Sequence, residues 1–383
     1  MRVVFFGTYD TGTHPRVLVL EQGLRAHGAT VLECNAPLGV GTAGRVAAVR
    51  RPWRMVPLAA RVARRWWSLA RAARAVRPGR GRAPVDAVVV GYLGLLDVHL
   101  ARLLFRRVPI ALDHLAGAAD TAADRRLGAG MRHRLMAALD RAALHRADIV
   151  VVDTDEQRAT LPAPVRRRAV VCPVGAPDAW FAAATTEPAA EEPLRVVFFG
   201  LYTPLQGAPV IGAAARLLAG RPVRFTMVGH GQDEEDTRRA AEGAAVRWVP
   251  WASADELPGL VAGHDVCLGI FGTGAKAHRV VPNKVFQGAA AGCAIVTGDT
   301  VPQRRALGDA ALFVPPGDPA ALAEGLERLA TDRAALDRLR AAARRLAADR
   351  FTAARVTLPL WERLAEGRPA DDLRAAGAAG ARR

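Results

Sequence analysis

Both lysines of the 383-residue chain, and one of its two asparagines, lie in nine residues, KAHRVVPNK at 276–284. Arginine supplies every other basic side chain. Lys276, Arg279 and Lys284 stand together here, with Pro282 and Asn283 before the last. Proline suits the first position of a helix, which puts Asn283 and Lys284 in its first turn. That turn ordinarily prefers acidic residues, because its free N–H groups carry partial positive charge. A lysine there fits an anion, such as a diphosphate, seated at the helix end. The competing reading is a solvated basic loop.

A second group of candidates lies in the first half. ALDHL (111–115) closes an apolar run, so Asp113 and His114 fall at the carboxyl end of a strand. A carboxylate and an imidazole there can orient or deprotonate a hydroxyl, although an ordinary strand-end turn has the same composition. Asp120 and Asp124 follow closely. In GTYDTGTHPR (7–16), Gly7 opens a turn into a helix, and His14 and Arg16 are its candidates for an anionic or hydroxyl-rich ligand.

Three further patterns narrow the chemistry. Neither GTYDTG nor GLYTPLQG (200–207) is the GxGxxG of a dinucleotide site, which argues against nicotinamide or flavin. In VGHGQDEED (228–236), Gly229 and Gly231 would let a ligand approach the backbone, while the acids complement a helix dipole. DTDEQ (153–157) resembles a metal-binding DxD, but Thr154 with Gln157 fits a capping box, which is preferred; no metal site is expected.

The elements that carry these residues follow from periodicity. RVVFFGTY (2–9) returns as RVVFFGLY (195–202), each a β-branched and aromatic run ending in glycine. Such runs read as buried parallel strands, and the echo marks two α/β domains with equivalent first strands. Strands are expected at 2–6, 29–34, 85–91, 108–112, 148–152 and 168–172, then at 195–200, 223–229, 246–251, 265–271, 293–298 and 311–314. A long helix is expected at 319–349. Strand–helix alternation implies doubly wound parallel sheets, with ligands at the carboxyl ends of the strands and a cleft between the domains. The boundaries read as 1–174, a linker at 175–193, a second domain at 194–350, and a helical segment and tail at 351–383.

Composition sets outer limits. The formal charge is +16 with 51% hydrophobic residues. Scarce lysine beside abundant Gly, Ala, Pro and Arg reflects coding bias in part, and an anionic partner in the sharper reading. The stretch 45–82 holds twelve arginines, no acid, and Trp53, Trp66 and Trp67, which suggests peripheral contact with an anionic membrane. No recognition motif for nucleic acid accompanies the charge. Cys34, Cys172, Cys267 and Cys293 read as small core residues in a reducing compartment. With no signal-peptide pattern at the N-terminus, a cytoplasmic protein is expected, at most peripheral at the inner face of the membrane.

FFGLYTPLQG, VGHG, KAHRVVPNKVFQGAAAGCAIVTGD and ALFVPPGDPAALAEGL, all within 195–326, resemble the donor domain of a family 4 glycosyltransferase of actinobacterial type. GTYDTGTHPRVLVLEQGL resembles that family's acceptor-domain opening. The resemblance implies the GT-B architecture: two facing doubly wound Rossmann-like domains, the second binding a nucleotide-diphosphate sugar and the first an acceptor. It implies a retaining, metal-independent hexosyl transfer with no cofactor beyond the nucleotide-sugar co-substrate. The acceptor would be a saccharide, a lipid-linked glycan or a natural product.

By that resemblance, Lys276, Arg279 and Lys284 would act on the leaving diphosphate, with Asp113 or His114 orienting the acceptor. Gly200, Tyr202, Gln206, Gly207, Gly229, Gly231, Asn283 and Gln287 would bind the donor. Gly7, His14, Arg16, Asp120 and Asp124 would serve the acceptor. The sequence departs from the family at Arg279 and Gln287, where a pair of glutamates is usual, and at Gln206, where a lysine is common. Two other classes fit more loosely: a sugar-nucleotide epimerase of the same shape, and a non-catalytic polyanion- or membrane-binding protein.

Overall fold

The computed structural model describes residues 1–12, 15–39, 55–76, 83–92, 94–115, 117–124, 130–184 and 193–366. They form two compact units: Met1–Pro173 with the segment that starts at Val356, and Val174–Arg355.

In the first unit the chain runs β1 (Arg2–Gly7), α1 (Arg16–Ala26), β2 (Thr30–Asn35), α2 (Met55–Val76), β3 (Ala87–Val90), α3 (Asp97–Leu104), β4 (Ile110–Asp113), α4 (Ala118–Asp124), α5 (Met131–Arg146), β5 (Ile149–Val152), α6 (Asp155–Thr160), α7 (Ala163–Arg166) and β6 (Ala169–Val171). The strands form one parallel sheet in the order β2-β1-β3-β4-β5-β6. Side chains alternate across a strand. Val4 and Phe6 therefore join Val88, Val90, Ile110 and Leu112 beneath α2, α3 and α5. Val3 and Phe5 face the other way, with Val89 and Ala111, under Val17, Leu20 and Leu24 of α1. Burial on both faces explains the unbroken apolar runs of these strands.

The second unit begins with α8 (Asp178–Ala182) and continues through β7 (Leu194–Phe199), α9 (Ala208–Leu217), β8 (Val223–Val228), α10 (Glu234–Ala240), β9 (Val246–Val249), α11 (Leu257–Ala262), β10 (Val266–Leu268), α12 (Asn283–Ala290), β11 (Ala294–Gly298), α13 (Val301–Leu307), β12 (Ala311–Val314), α14 (Pro319–Thr331) and α15 (Arg333–Arg350). Its parallel sheet has the order β12-β11-β10-β7-β8-β9. The last helix, α16 (Ala353–Ala365), returns to the first unit, where Leu360 enters the core beside Val17 and Cys172.

All twelve expected strands are present, mostly with trimmed ends. Three expectations about the rest need correction. The long helix of 319–349 is two, because Asp332 leaves helical geometry (φ −103°, ψ 83°) and caps α15 by accepting the Ala335 N–H at 2.8 Å. The stretch 175–193 is a linker only in part: Trp180 of α8 stacks on Phe199 of β7, 5.5 Å between centroids, and 185–192 lie outside the described residues. The segment from 351 is not separate, since α16 belongs with the first unit from Val356. The four cysteines are buried and free, as small core residues should be. Thr154 caps α6, its hydroxyl accepting the Gln157 N–H at 3.1 Å, so DTDEQ is a helix start.

Candidate functional site

In the second unit the chain reverses its direction of travel across the sheet between β7 and β10. Ligands of open α/β sheets gather outside the carboxyl ends of strands at such a switch point. Gly200 follows the carboxyl end of β7, and the connection after it leads to α9. The connection after β10 leads through KAHRVVPNK to α12. Pro282 sits one position earlier than expected, at the N-cap (φ −74°, ψ 149°), so it cannot supply a capping side chain, and the first turn holds no acid.

Lys284, in that first turn, is only 4% exposed. Its ammonium lies 3.9 Å from the centroid of the Phe198 ring and donates a hydrogen bond to Gln206 Oε1. It also stands close beneath Gly200, where a β-carbon would come within 3.3 Å of Nζ. Desolvation by burial pushes this amine down to about 7, with the Cys267 thiol pulling weakly the other way. An aromatic face and an amide oxygen are partial compensation for a buried cation. A bound anion would complete it. Lys284 thus brings its charge across to Gln206, 78 positions earlier in the chain.

The other donor candidates divide. Lys276 and Arg279 lie half-buried in a turn before α12, closed by Arg279 N–H donating to the Lys276 carbonyl and anchored by Ala277 and Val280 against Ile270. Asn283 is half-buried at the first position of α12, and Gln287, one turn on, is buried on the same side of the helix. The Tyr202 ring is fully buried in the core against Phe198, so it supports the loop from within. At the glycines at 207, 229 and 231 the chain's own backbone approaches closely, which by itself requires glycine there. A β-carbon at Gly207 would lie 2.6 Å from the backbone at Phe271 and Gly272, one at Gly229 2.1 Å from the Gly200 carbonyl oxygen, and one at Gly231 2.3 Å from that of Tyr202. Gly229 also has φ +117°, so Gly229→Ala should cost roughly 2–4 kcal/mol in urea unfolding while displacing the Gly200 turn.

Two contributors escaped the sequence reading. Phe198 looked like one more core residue of β7. Gln303, fully buried on α13, accepts from the Thr297 hydroxyl at 2.5 Å and donates to the Gly298 carbonyl at 2.9 Å. Thr297 in turn accepts the Ile270 N–H at 3.3 Å, which ties the ends of β10 and β11 together. The available signal was T-x-x-Q at 300–303, a helix-start pattern.

Within the first unit, Arg16 and Asp113 meet as an ion pair, Nε to Oδ1 at 3.3 Å, with both side chains at most 1% exposed. Arg16 also donates to the Pro173 carbonyl at 2.5 Å. Burial raises the Asp113 carboxyl above its ordinary value, against the downward pull of Arg16 and His114. Arg16 and Asp113 thus form an internal tie between α1, β4 and the chain after β6. His114 is buried, with Nδ1 unpartnered, and burial lowers its pKa against the pull of Asp140, Asp113 and Asp120. Asp140 caps α4 through the N–H groups of Ala118 and Ala119 at 2.8 and 2.9 Å. Gly7 ends β1, and Asp120 and Asp124 are half-buried on α4. His14 lies outside the described residues.

No curated protein sequence matches the chain significantly. Among solved structures it is similar to sucrose-phosphate synthase from Thermosynechococcus elongatus, at 15% identity over 94% of this chain and 98% of that one, with a TM-score of 0.67. It is similar to Anabaena HepE in complex with UDP-glucose, at 14% identity over 96% and 98%, TM-score 0.64. A UDP-forming trehalose-phosphate synthase from Burkholderia vietnamiensis gives 15% identity over 98% and 100%, TM-score 0.63. At these identities the likeness establishes the fold, two Rossmann-like units of the GT-B type. Residues 193–332, which include Lys284, Gln206 and the whole β7–β10 switch point, match the family model described as Glycosyl transferases group 1, so the chain carries a glycosyltransferase domain.

Proposed function

We propose that this enzyme moves a hexosyl group from a nucleotide-diphosphate sugar to an acceptor hydroxyl, with retention of configuration and without a metal. The observation that carries this reading is Lys284, a buried ammonium held at a helix N-terminus at the switch point. Negative charge grows on the diphosphate as it leaves the anomeric carbon. A fixed cation and the free N–H groups at the start of α12 answer that charge without reorganising. Lys276 and Arg279 add charge from the neighbouring turn, and Asn283 and Gln287 hydrogen-bond the donor. A glutamine at 287 binds ribose hydroxyls more weakly than a carboxylate would. His114, neutral when buried, is the remaining first-unit candidate for meeting the acceptor, which is a saccharide, a lipid-linked glycan or a natural product.

The solved structure of HepE holds UDP-glucose, which makes UDP-hexoses the first donors to test. In a thermal-shift panel of nucleotide sugars, one donor class should raise Tm in a concentration-dependent way. No shift with any donor would overturn the reading. Conversion of a donor to its epimer with no acceptor present would replace it with an epimerase.

A further inference from the structure

The described residues expose ten large apolar side chains, and six of them belong to one layer of the first unit. These are Val56 and Trp67 of α2, Leu96 and Leu103 at and within α3, and Met131 and Leu135 of α5. The three helices cover the same sheet face, and α3 packs against both of the others. Two of the side chains are conspicuous in size and position: Trp67 is 62% and Met131 79% exposed.

The same layer is cationic. Arg61, Arg64 and Arg71 are exposed on α2, and Arg134 and Arg141 on α5. The three helices contain two acids, Asp97 and Asp140, and both are buried and engaged. Asp97 accepts from Thr8 and from the Trp66 indole at 2.8 Å, and Asp140 caps α4. No carboxylate of these helices therefore offsets the arginines at the surface. The tandem tryptophans separate the roles: Trp66 turns inward to tie α2 to α3, while Trp67 turns outward under the Arg71 guanidinium, 4.7 Å away.

Scattered apolar residues on a monomer need no explanation, but their coincidence with a cluster of exposed arginines does. A nucleic acid would satisfy the arginines and give Val56, Leu103, Met131 and Leu135 nothing. An anionic bilayer satisfies both. Aliphatic side chains enter the acyl boundary, tryptophan sits at headgroup level, and arginine stems extend along apolar surface to reach lipid phosphates. No helix of the described residues is long and apolar enough to cross a membrane, so contact through this layer would be peripheral. We propose that the α2–α3–α5 layer of the first unit docks on an anionic lipid bilayer.

The test is co-sedimentation of the full chain with vesicles of phosphatidylcholine alone, or with about one third phosphatidylglycerol. Binding should need the anionic lipid and weaken as salt rises. Each of Arg64→Ala and Arg71→Ala should lower partitioning roughly fivefold, and the pair about twenty-five-fold. Trp67→Ala should lower it about tenfold, including at high salt where the charges are screened. These side chains are exposed, so the variants should keep the wild-type Tm and transfer rate to a soluble acceptor. Failure to bind anionic vesicles would overturn the proposal, as would binding that all three substitutions leave unchanged. Loss of single-stranded RNA binding in the same variants, with no vesicle binding by the parent, would overturn it in favour of a nucleic-acid surface.

Discussion

Lys284→Ala is expected to slow glycosyl transfer by about two to three orders of magnitude and to leave the fold intact. The loss belongs mainly in kcat, because the ammonium matters most when charge has moved onto the departing diphosphate. Stability should move the other way. The amine is lowered from its ordinary 10.5 to about 7, so the unfolded chain holds this proton more tightly than the native one. The cost of burying the charge is fully present below pH 7 and is relieved as pH rises from about 7 to 10.5, where stability rises with pH. Lys284→Met should therefore stabilise the donor-free protein most at low pH, with the gain fading toward pH 10.5. Donor affinity has the opposite slope. A bound diphosphate restores the proton, so UDP-glucose binding should weaken above about pH 7, by up to tenfold per pH unit, and the variant should lose that dependence. Calorimetry across this range checks it. A variant with unchanged kcat and an unchanged pH profile would remove Lys284 from the site.

How much of this could be read beforehand depended on whether the cause was local. Strands buried on both faces have to be apolar throughout, which made the central strands legible, and the repeated RVVFFG marked the first strand of each sheet. The placement of Lys284 at a helix start followed from Pro282 and from the scarcity of lysine. Its partners did not, because Phe198 and Gln206 lie 86 and 78 positions away and look like a core aromatic and a loop amide. Glycine was legible as a requirement but not as a reason. Gly229 and Gly231 looked like room for a ligand, and the close backbone of Gly200 and Tyr202 is a second reason for glycine at both. Tyr202 followed a strand and a glycine, as a ligand contact would, yet its ring packs inward. Asp332 was the reverse case: a helix-capping residue was present in the sequence, within a hydrophobic period that ran through it.

Asp113→Ala is expected to destabilise the first unit by about 3–5 kcal/mol, and this separates a structural carboxylate from a catalytic one. The carboxylate meets Arg16 across 97 positions of sequence, in surroundings that exclude water from both groups. Removing it leaves a guanidinium, 1% exposed, without its counterion while the Pro173 carbonyl continues to accept from it. A buried charge stripped of its partner costs far more than the pair contributed, because the desolvation already incurred is no longer offset. Replacing both partners with apolar residues of similar volume, Arg16→Met with Asp113→Leu, should recover most of the loss in urea unfolding. Activity then decides the role. If Asp113 serves only as the tie between α1 and β4, the double variant should transfer at close to the wild-type rate once folded. If it orients the acceptor, transfer should stay low after stability has returned, and the assignment made from the ALDHL pattern would stand against the burial seen here.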